Sequence, residues 1–378
     1  MEFLSILWFI LIAVLWTVYL VLEGFDFGVG MLLPIAAKND RERTQLVRSI
    51  GPHWDGNEVW LLTAGGATFA AFPAWYATMF SGMYLALFLI LVLLIVRITA
   101  IEWRSKLRSE RWRANWDWFQ TVASFGVPLV LGVAFSNLVQ GMQIEAQNRL
   151  TGAIIPPEQV AAVAGDGTTV YNLTGGFFSL FTPFTLLGGV MLLLVCLSHG
   201  IQFVSLKTDG LVAERANRLA GPVSVVATLL AAVWVVWGQF AYSANVLAWI
   251  PLVIAALALI TSAAFSQPAL RSPGKAFAAS AIGIASAVAW IFSAMAPNVM
   301  KSAIAPEYSL TIPLASSTNG TLTVMTIVAV VLVPIVLAYT LWSYWVFRDR
   351  VGHRDVTPDS GLWPAKIRLG ANFLTGKQ

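Results

Sequence analysis

Long, unbroken apolar runs separated by short polar connections make up most of this chain. A run of roughly 20 apolar residues is enough to cross a bilayer as an α-helix. The strands of an outer-membrane barrel would instead alternate apolar and polar residues. The pattern predicts an all-α, polytopic membrane protein with about nine transmembrane helices, near residues 4–23, 58–75, 78–97, 118–140, 176–203, 219–242, 246–266, 276–296 and 321–347.

The first apolar run does not stop at Glu23. It continues through GFDFGVGMLLPIAA, where three glycines and a second acid interrupt the apolar residues. Small residues in membrane helices commonly allow two helices to pack closely. We therefore expect the first helix to be long, tilted or broken at its glycines.

The composition supports a membrane location. Hydrophobic residues make up 58% of the 378 residues and charged residues only 11%, and the mean hydropathy is +0.74. An ordinary soluble domain carries roughly a quarter charged residues. Because so little charge cannot cover a 41.0 kDa globule, lipid is expected to be the solvent for most of the exterior.

Lysine and arginine lie almost entirely in one set of alternate loops and in the C-terminal tail, and the opposite loops hold only Arg149 and Lys301. Basic loops stay on the cytoplasmic side of a membrane. We expect a multi-pass protein of the bacterial cell membrane with its N-terminus outside and its C-terminus in the cytoplasm. The net charge of +4 then reflects orientation, and no nucleic-acid partner is expected. The residues assigned to the cytoplasmic side are Lys38, Arg41, Arg43, Arg48, Arg97, Arg104, Lys106, Arg108, Arg111, Arg113, Lys207, Arg215, Arg218, Arg271, Lys275, Arg348, Arg350, Arg354, Lys366, Arg368 and Lys377.

We expect one transmembrane domain over 1–378. Within it we distinguish an N-terminal helix bundle with the acidic motifs (1–140), an external loop (141–175), the C-terminal helices (176–347) and a cytoplasmic tail (348–378). The external loop contains prolines, glycines and threonines, which is typical of irregular surface structure.

The acids of the predicted membrane region crowd into the first third of the chain. Glu23 with Asp26, and Asp55 with Glu58, are each spaced i,i+3, so that each pair shares one face if its segment is helical. An ionisable group at membrane depth is costly and often marks an ion or proton route.

A structural role competes with this interpretation, because acids in the first turn of a helix are ordinary capping and dipole partners. Position alone favours a structural or capping role for Glu58 and Asp117. It leaves both roles open for Glu23 and Asp26, which interrupt an apolar run.

Histidine and cysteine are too few for a metal or redox centre within this chain. His53, His199 and His353 are far apart in the sequence, and Cys196 has no second cysteine to pair with. A haem or copper centre would require two or more facing ligands. We expect structural roles for the histidines, a buried Cys196, and no cofactor, metal or catalytic residue on this chain alone.

Two segments are far more specific than the hydropathy pattern. EGFDFGVGMLLP (23–34) is followed by a KNDRER loop and then by PHWDGNEVW (52–60). WRSK (103–106), RWRANWDW (111–118), GVAFSNLVQG (132–141) and the long segment 309–345 follow in order. Over essentially its whole length the chain resembles subunit II of the bacterial cytochrome bd quinol oxidases.

The resemblance implies a fold of two four-helix bundles plus one peripheral helix. It also implies a complex that oxidises menaquinol or ubiquinol and reduces oxygen to water. In that family, haem b and haem d are bound by subunit I. Subunit II binds no haem, supports assembly, and shares in conducting protons from the cytoplasm. The lone chain is expected to be inactive and the complex electrogenic.

The resemblance also changes the expectation for the acids. Asp55 matches the acid of the family's WDGN motif, Glu23 and Asp26 match its paired acids, and Glu102 precedes the WRSK stretch. We predict a proton path through Asp55, Glu102, Asp26 and Glu23, with Glu58, Asp117 and His53 in structural or capping roles.

The expected partners are subunit I, a small single-helix accessory subunit and membrane lipid, and a structural quinone is a further possibility. The segments 141–175 and 297–315 depart from the family's pattern, which leaves the contacts made there open. Two alternatives remain: a purely structural subunit of the same complex, and a secondary transporter, which would need broken helices near the midplane.

Overall fold

The computed structural model describes residues 2–352 and Val356. His353 and most of the predicted tail therefore lie outside the described residues. The described chain is almost entirely helical, which confirms the all-α prediction. Its helices are α1 (Glu2–Ala36), α2 (Asp40–Ile50), α3 (Trp54–Ala71), α4 (Pro73–Gly82), α5 (Tyr84–Trp103), α6 (Glu110–Gln140), α7 (Pro157–Val163), α8 (Pro183–Lys207), α9 (Gly210–Tyr242), α10 (Trp249–Ser266), α11 (Pro273–Met295), α12 (Ile312–Ala315) and α13 (Asn319–Val346).

Eight helices of the described chain are long and apolar enough to cross a membrane, namely α1, α5, α6, α8, α9, α10, α11 and α13. The polytopic prediction is confirmed. The span expected near 58–75 corresponds to α3, which has the same length of 18 residues but begins and ends four residues earlier. It ends at Ala71 because Pro73 begins a separate helix, and proline suits the first position of a helix rather than its interior.

The sequence left open whether the first helix is long, tilted or broken at its glycines, and the structure shows a long helix. α1 does not stop or break near Glu23 but runs for 35 residues. Glu23 and Asp26 are both fully buried inside it, where they have partners from other helices. The glycines serve for close packing instead of a break, because a Cβ on Gly28 would collide with the backbone of α8 at Cys196 and Gly200.

The helices pack in two groups joined through α1. In the first group, α1 contacts α3 and α6, and α5 packs on α6. In the second group, α8 packs on α9 and on α11, and α10 packs on α9 and α11. α1 and α6 both contact α8, which connects the groups. α13 is peripheral, since only 6% of its apolar window is buried.

The segment 141–175 is more ordered than predicted. It contains β1 (Ile144–Asn148) and β2 (Thr169–Leu173), which pair antiparallel with Ile144 opposite Leu173. A second small sheet pairs β3 (Asn298–Met300) with β4 (Leu310–Thr311). Paired backbone groups explain why this part of the chain is ordered although its composition is that of a loop.

At the opposite end of the molecule, ion pairs tie α2 to the ends of α5 and α6. Arg104 Nε donates to Asp117 Oδ1 (2.5 Å) and Nη2 donates to Asp40 Oδ1 (2.7 Å). Arg113 also donates to Asp40, at 2.5 Å. We call the end where these residues lie the basic end. Asp117 is thus paired with Arg104 and does not cap α6, whose capping residue is Ser109.

The contact between α1 and α8 gives a first prediction. Gly28→Ala is expected to destabilise the protein by about 1–3 kcal/mol, because the methyl group overlaps backbone atoms that cannot rotate away. Thermal unfolding of the purified complex in detergent, followed by loss of assembled protein, measures the change.

Gly320→Ala is the matched control. Gly320 also lies in a helix, α13, but a Cβ there would meet only Thr318 Oγ1, at 4.0 Å. Equal unfolding temperatures for both variants and the wild-type protein would contradict the close packing of α1 on α8.

Candidate functional site

An arginine buried at membrane depth is the centre of the candidate site. Arg97 lies near the basic end of α5 and is 0% exposed. Its Nη1 pairs with Glu23 of α1 and with Glu58 Oε2 of α3, at 3.0 Å from the latter. The guanidinium carbon also lies 4.6 Å from the centre of the Phe27 ring, a distance typical of a cation–π contact. One side chain therefore connects three helices.

Asp26 belongs to the same group. It lies three residues after Glu23, and in the continuous helix α1 this spacing puts both carboxyls on one face. Asp26 Oδ2 accepts a hydrogen bond of 2.7 Å from Asn57 Nδ2 of α3. We define the Arg97 cluster as Glu23, Asp26, Asn57, Glu58 and Arg97.

A hydrogen-bonded chain leads from the Arg97 cluster toward the peripheral helix. The Tyr344 hydroxyl of α13 donates to Asn57 Oδ1 at 2.8 Å, and Asn57 in turn donates to Asp26. The Tyr344 ring is stacked on His53 at 4.2 Å, with an angle of 3° between the ring planes. Burial, together with the nearby Lys207, lowers the pKa of His53 to about 4, so that its ring is neutral at pH 7.

Several polar atoms of the Arg97 cluster have no hydrogen-bond partner among the described residues. They include Oδ1 of Asp26 and both Nε and Nη2 of Arg97. Buried polar atoms of this kind are rare unless water or another group completes them. The cluster thus has hydrogen-bonding capacity beyond what the described chain uses.

Glu58 connects the cluster to a cavity between α3, α4, α5 and α6. The cavity has a volume of about 520 Å³, and its lining is mostly apolar, with Glu58, Thr68 and Tyr76 among its polar residues. Glu58 is the only charged residue in that lining. The cavity opens at the surface of the chain, since Leu62 and Phe69 in its lining are 73% and 59% exposed. The Glu58 carboxyl is therefore the point at which the Arg97 cluster meets this opening.

The four predicted path residues do not all come together. Glu23 and Asp26 lie side by side in the Arg97 cluster. Asp55 lies one turn of α3 nearer the basic end and is exposed. Glu102 is exposed as well, with 51% of its side chain accessible and Lys106 at 3.9 Å. The structure thus joins two of the four and leaves two at the surface of this chain.

Two residues predicted to have structural or capping roles, Glu58 and His53, make no capping bond. Glu58 does not cap α3; it is 9% exposed and paired with Arg97. His53 occupies the position before α3 but makes no side-chain capping bond, because its ring is stacked on Tyr344. Both residues belong to the buried network instead.

The sequence interpretation missed Arg97, Asn57 and Tyr344. Arg97 was assigned to a basic loop on account of its position at the end of an apolar run, yet it is fully buried. Charge balance could have indicated Arg97, since several acids buried at membrane depth require a buried cation to compensate them. Nothing in the local sequence distinguishes Asn57 or Tyr344 from ordinary helix residues.

The His and Cys side chains of the described residues are not grouped into a metal site. They contain no group of three His, Cys, Asp or Glu side chains that could hold a metal ion. His199 has both ring nitrogens engaged, with Val21 O at 3.1 Å from Nε2 and Ser280 Oγ at 2.8 Å from Nδ1. Cys196 is buried and unpaired.

Known proteins similar to this chain agree with one another. The family described as Cytochrome bd terminal oxidase subunit II matches residues 4–347. The Cytochrome bd ubiquinol oxidase subunit 2 of Bacillus subtilis is 38% identical over 361 residues, covering 94% of this chain and 99% of that protein. The Cytochrome bd-I ubiquinol oxidase subunit 2 of Escherichia coli is 37% identical, covering 94% and 97%.

A solved structure supports the fold independently. A chain of the bd oxidase from Geobacillus thermodenitrificans superimposes with a TM-score of 0.65, covering 91% of this chain and 98% of that chain, at 11% sequence identity. At this identity the likeness concerns the fold alone. The whole-length family match and the two relatives show, as the motifs predicted, that the chain belongs to the cytochrome bd terminal oxidase subunit II family.

Proposed function

We propose that this subunit of a cytochrome bd quinol oxidase contributes a proton path, and that the Arg97 cluster is its membrane-buried station. In the complex, quinol is the electron donor and haem supplies the chemistry of oxygen reduction. The observation that carries the proposal is the burial of three carboxyl groups around one guanidinium. Membrane-buried ionisable groups are characteristic of ion and proton pathways.

The charge imbalance gives the cluster a capacity for protons. If Glu23, Asp26 and Glu58 were all ionised, Arg97 would compensate only one of three negative charges. Uncompensated charge in a low-dielectric interior is costly, and carboxyls that share a site do not all ionise together. The group therefore holds at least one proton and can pass it on when a neighbouring acceptor becomes available.

Protons enter, in this proposal, from the basic end. The distribution of lysine and arginine assigns that end to the cytoplasm and the N-terminus to the outside. Tyr344 is half-buried near this end of α13 and reaches Asp26 through Asn57. We take Tyr344 and Asn57 as the entrance of the path, with the Asp26 carboxyl at its inner end.

Delivery requires the partner subunit. We assign the haems to subunit I, as the resemblance to the cytochrome bd quinol oxidases implies. Asp55 and Glu102 are exposed in this chain, which leaves both available to a neighbouring subunit. A small accessory helix and membrane lipid would cover further apolar surface. Protons drawn from the cytoplasm for oxygen reduction inside the membrane would make the complex electrogenic, and this chain alone would be inactive.

A purely structural role is the second candidate, and one observation favours it. The Arg97 pairs hold α1, α3 and α5 together, so the same contacts that suit proton storage also stabilise the bundle. A transporter function is disfavoured, because α1 passes through its glycine-rich segment without a break, whereas transporters of that kind use broken helices at the binding site.

Glu23→Gln tests the cluster directly. The amide keeps the size of the side chain but cannot exchange a proton, so quinol-driven oxygen consumption is expected to fall by at least about tenfold. The haem absorption spectrum and subunit content of the purified complex are expected to stay unchanged.

Glu214→Gln is the control, since Glu214 is exposed on α9 at the basic end. If Glu23→Gln retained wild-type oxygen consumption, the cluster would not conduct. If the variant instead lost haem or subunit I, the structural role would be favoured.

Tyr344→Phe tests the proposed entrance. Removing the hydroxyl leaves Asn57 Oδ1 without its donor and frees the amide to rotate away from Asp26. Oxygen consumption is expected to fall by about fivefold, the equivalent of one ordinary hydrogen bond, with a shifted pH profile.

Tyr339→Phe makes the same change on the same helix, at a ring that is 65% exposed, and is expected to leave rate and pH profile unchanged. Identical pH profiles for the two variants would remove Tyr344 from the path.

Asp55→Asn separates the exposed acids from the buried ones. If Asp55 passes protons to the neighbouring subunit, oxygen consumption by the assembled complex is expected to fall by at least about tenfold. Full activity in this variant would confine the proton path to the buried acids.

A further inference from the structure

A polar cluster in the second helix group has no role in the proposed proton path. Gln202 of α8 is 1% exposed, and its side-chain nitrogen Nε2 lies within hydrogen-bonding distance of four serine hydroxyls. The distances from Nε2 are 3.4 Å to Ser198, 3.3 Å to Ser224, 2.8 Å to Ser262 and 3.3 Å to Ser266. We call Gln202 and these four residues the serine cluster. It joins α8, α9 and α10 in the interior of the bundle.

The hydroxyl protons of the serine cluster are already used. Ser224 donates to Ala220 O at 2.6 Å, and Ser266 donates to Ser262 O at 2.8 Å. Ser262 donates to Ala276 O of α11, at 2.9 Å. The hydroxyl of Ser198 lies 2.9 Å from that of Ser224. Because the Ser224 proton goes to Ala220 O, Ser198 donates and Ser224 accepts in this pair.

The carbonyl oxygen of Gln202 consequently has no donor. Gln202 Oε1 is buried and lacks a hydrogen-bond partner among the described residues. Exchanging the amide oxygen and nitrogen would not solve this, because the oxygen would then face the four serine hydroxyls, whose protons are already used. In either orientation a further molecule with both donor and acceptor capacity is required, and water is the smallest that fits.

A cavity of suitable size lies beside the amide. It is about 10 Å³ in volume and is lined by Gln202, Ser205, Asn217, Ser266 and Arg271 among others. A space of roughly 10–15 Å³ holds one water molecule when two to four polar groups surround it. Asn217 is half-buried and Arg271 is exposed, so this cavity leads to the basic end.

A second cavity lies on the other side of the serine cluster. It also measures about 10 Å³, and Ser198, Ser224, Ser262, Thr228 and Ser280 supply its polar lining. Ser280 bonds to His199 Nδ1 at 2.8 Å. The chain of polar groups ends there, because His199 Nε2 donates to the backbone carbonyl of Val21, which cannot pass a proton onward.

We propose that the serine cluster is a binding site for two internal water molecules, one in each cavity. The first water donates to Gln202 Oε1 and exchanges with solvent past Asn217 and Arg271. The second bridges the serines to Ser280. The site is a hydrated inlet that is closed at His199 and is separate from the Arg97 cluster. Its waters complete the hydrogen bonds that hold α8, α9, α10 and α11 together.

The test is a cryo-EM map of the assembled complex at a resolution that shows ordered water. We expect one density peak in each cavity, the first at a hydrogen-bonding distance of about 2.7–3.2 Å from Gln202 Oε1. Gln202→Leu is expected to remove the first peak and to lower the unfolding temperature. Ser262→Ala, a milder change, is expected to displace the second peak.

Thr261→Val is the matched control, because Thr261 is the neighbour of Ser262 on α10, is exposed, and bonds only within its own helix, to Leu257 O. It is expected to leave both peaks in place. Absence of any peak near Gln202 Oε1 in the wild-type map, where other buried waters are visible, would overturn the proposal.

Oxygen consumption distinguishes this inference from the proposed proton path. Because the inlet is closed at His199, the assembled Gln202→Leu complex is expected to consume oxygen at the wild-type rate, whereas Glu23→Gln is slow. A rate lowered by about tenfold or more in Gln202→Leu, with normal haem content, would show that protons pass through the serine cluster. That result would contradict the closed end at His199 and would not bear on the Arg97 cluster.

Discussion

The ionic contact between Arg97 and its carboxyl partners constrains the first helix group more than any other interaction. Removing one partner of a buried pair costs about 3–5 kcal/mol, because a charge is then left uncompensated. Glu23 and Glu58 must therefore remain on the faces of α1 and α3 from which they reach the Arg97 side chain. That requirement sets the rotation of both helices, and it explains how α1 can continue past two acids without leaving the membrane region.

Apolar run length and charge predicted the class of fold well, since both follow directly from the exclusion of water by lipid. They predicted the boundaries poorly where another interaction took over. α1 extends to Ala36 because its acids are compensated by residues from other helices. The break between α3 and α4 depends on one proline, and the strands β1 and β2 depend on pairing between residues far apart in sequence.

The candidate site could be predicted only in part, for a related reason. Glu23 and Asp26 stand out because an acid in an apolar run is unusual. Arg97 sits at the end of such a run, where an exposed loop arginine and a buried one have the same local sequence. Asp55 and Glu58 are three residues apart, yet one is exposed and the other buried, because Glu58 pairs with the buried Arg97 of α5.

The peripheral position of α13 has a consequence for how the lipid environment acts on the site. The rest of the described chain covers only a small part of this helix, yet its Tyr344 is hydrogen-bonded to the side chain that holds Asp26. Helices adjust their tilt to the thickness of the bilayer. A thicker or thinner membrane would then move the Tyr344 phenol relative to Asn57. Membrane composition would in this way change how often Asp26 carries a proton, although no lipid touches Asp26.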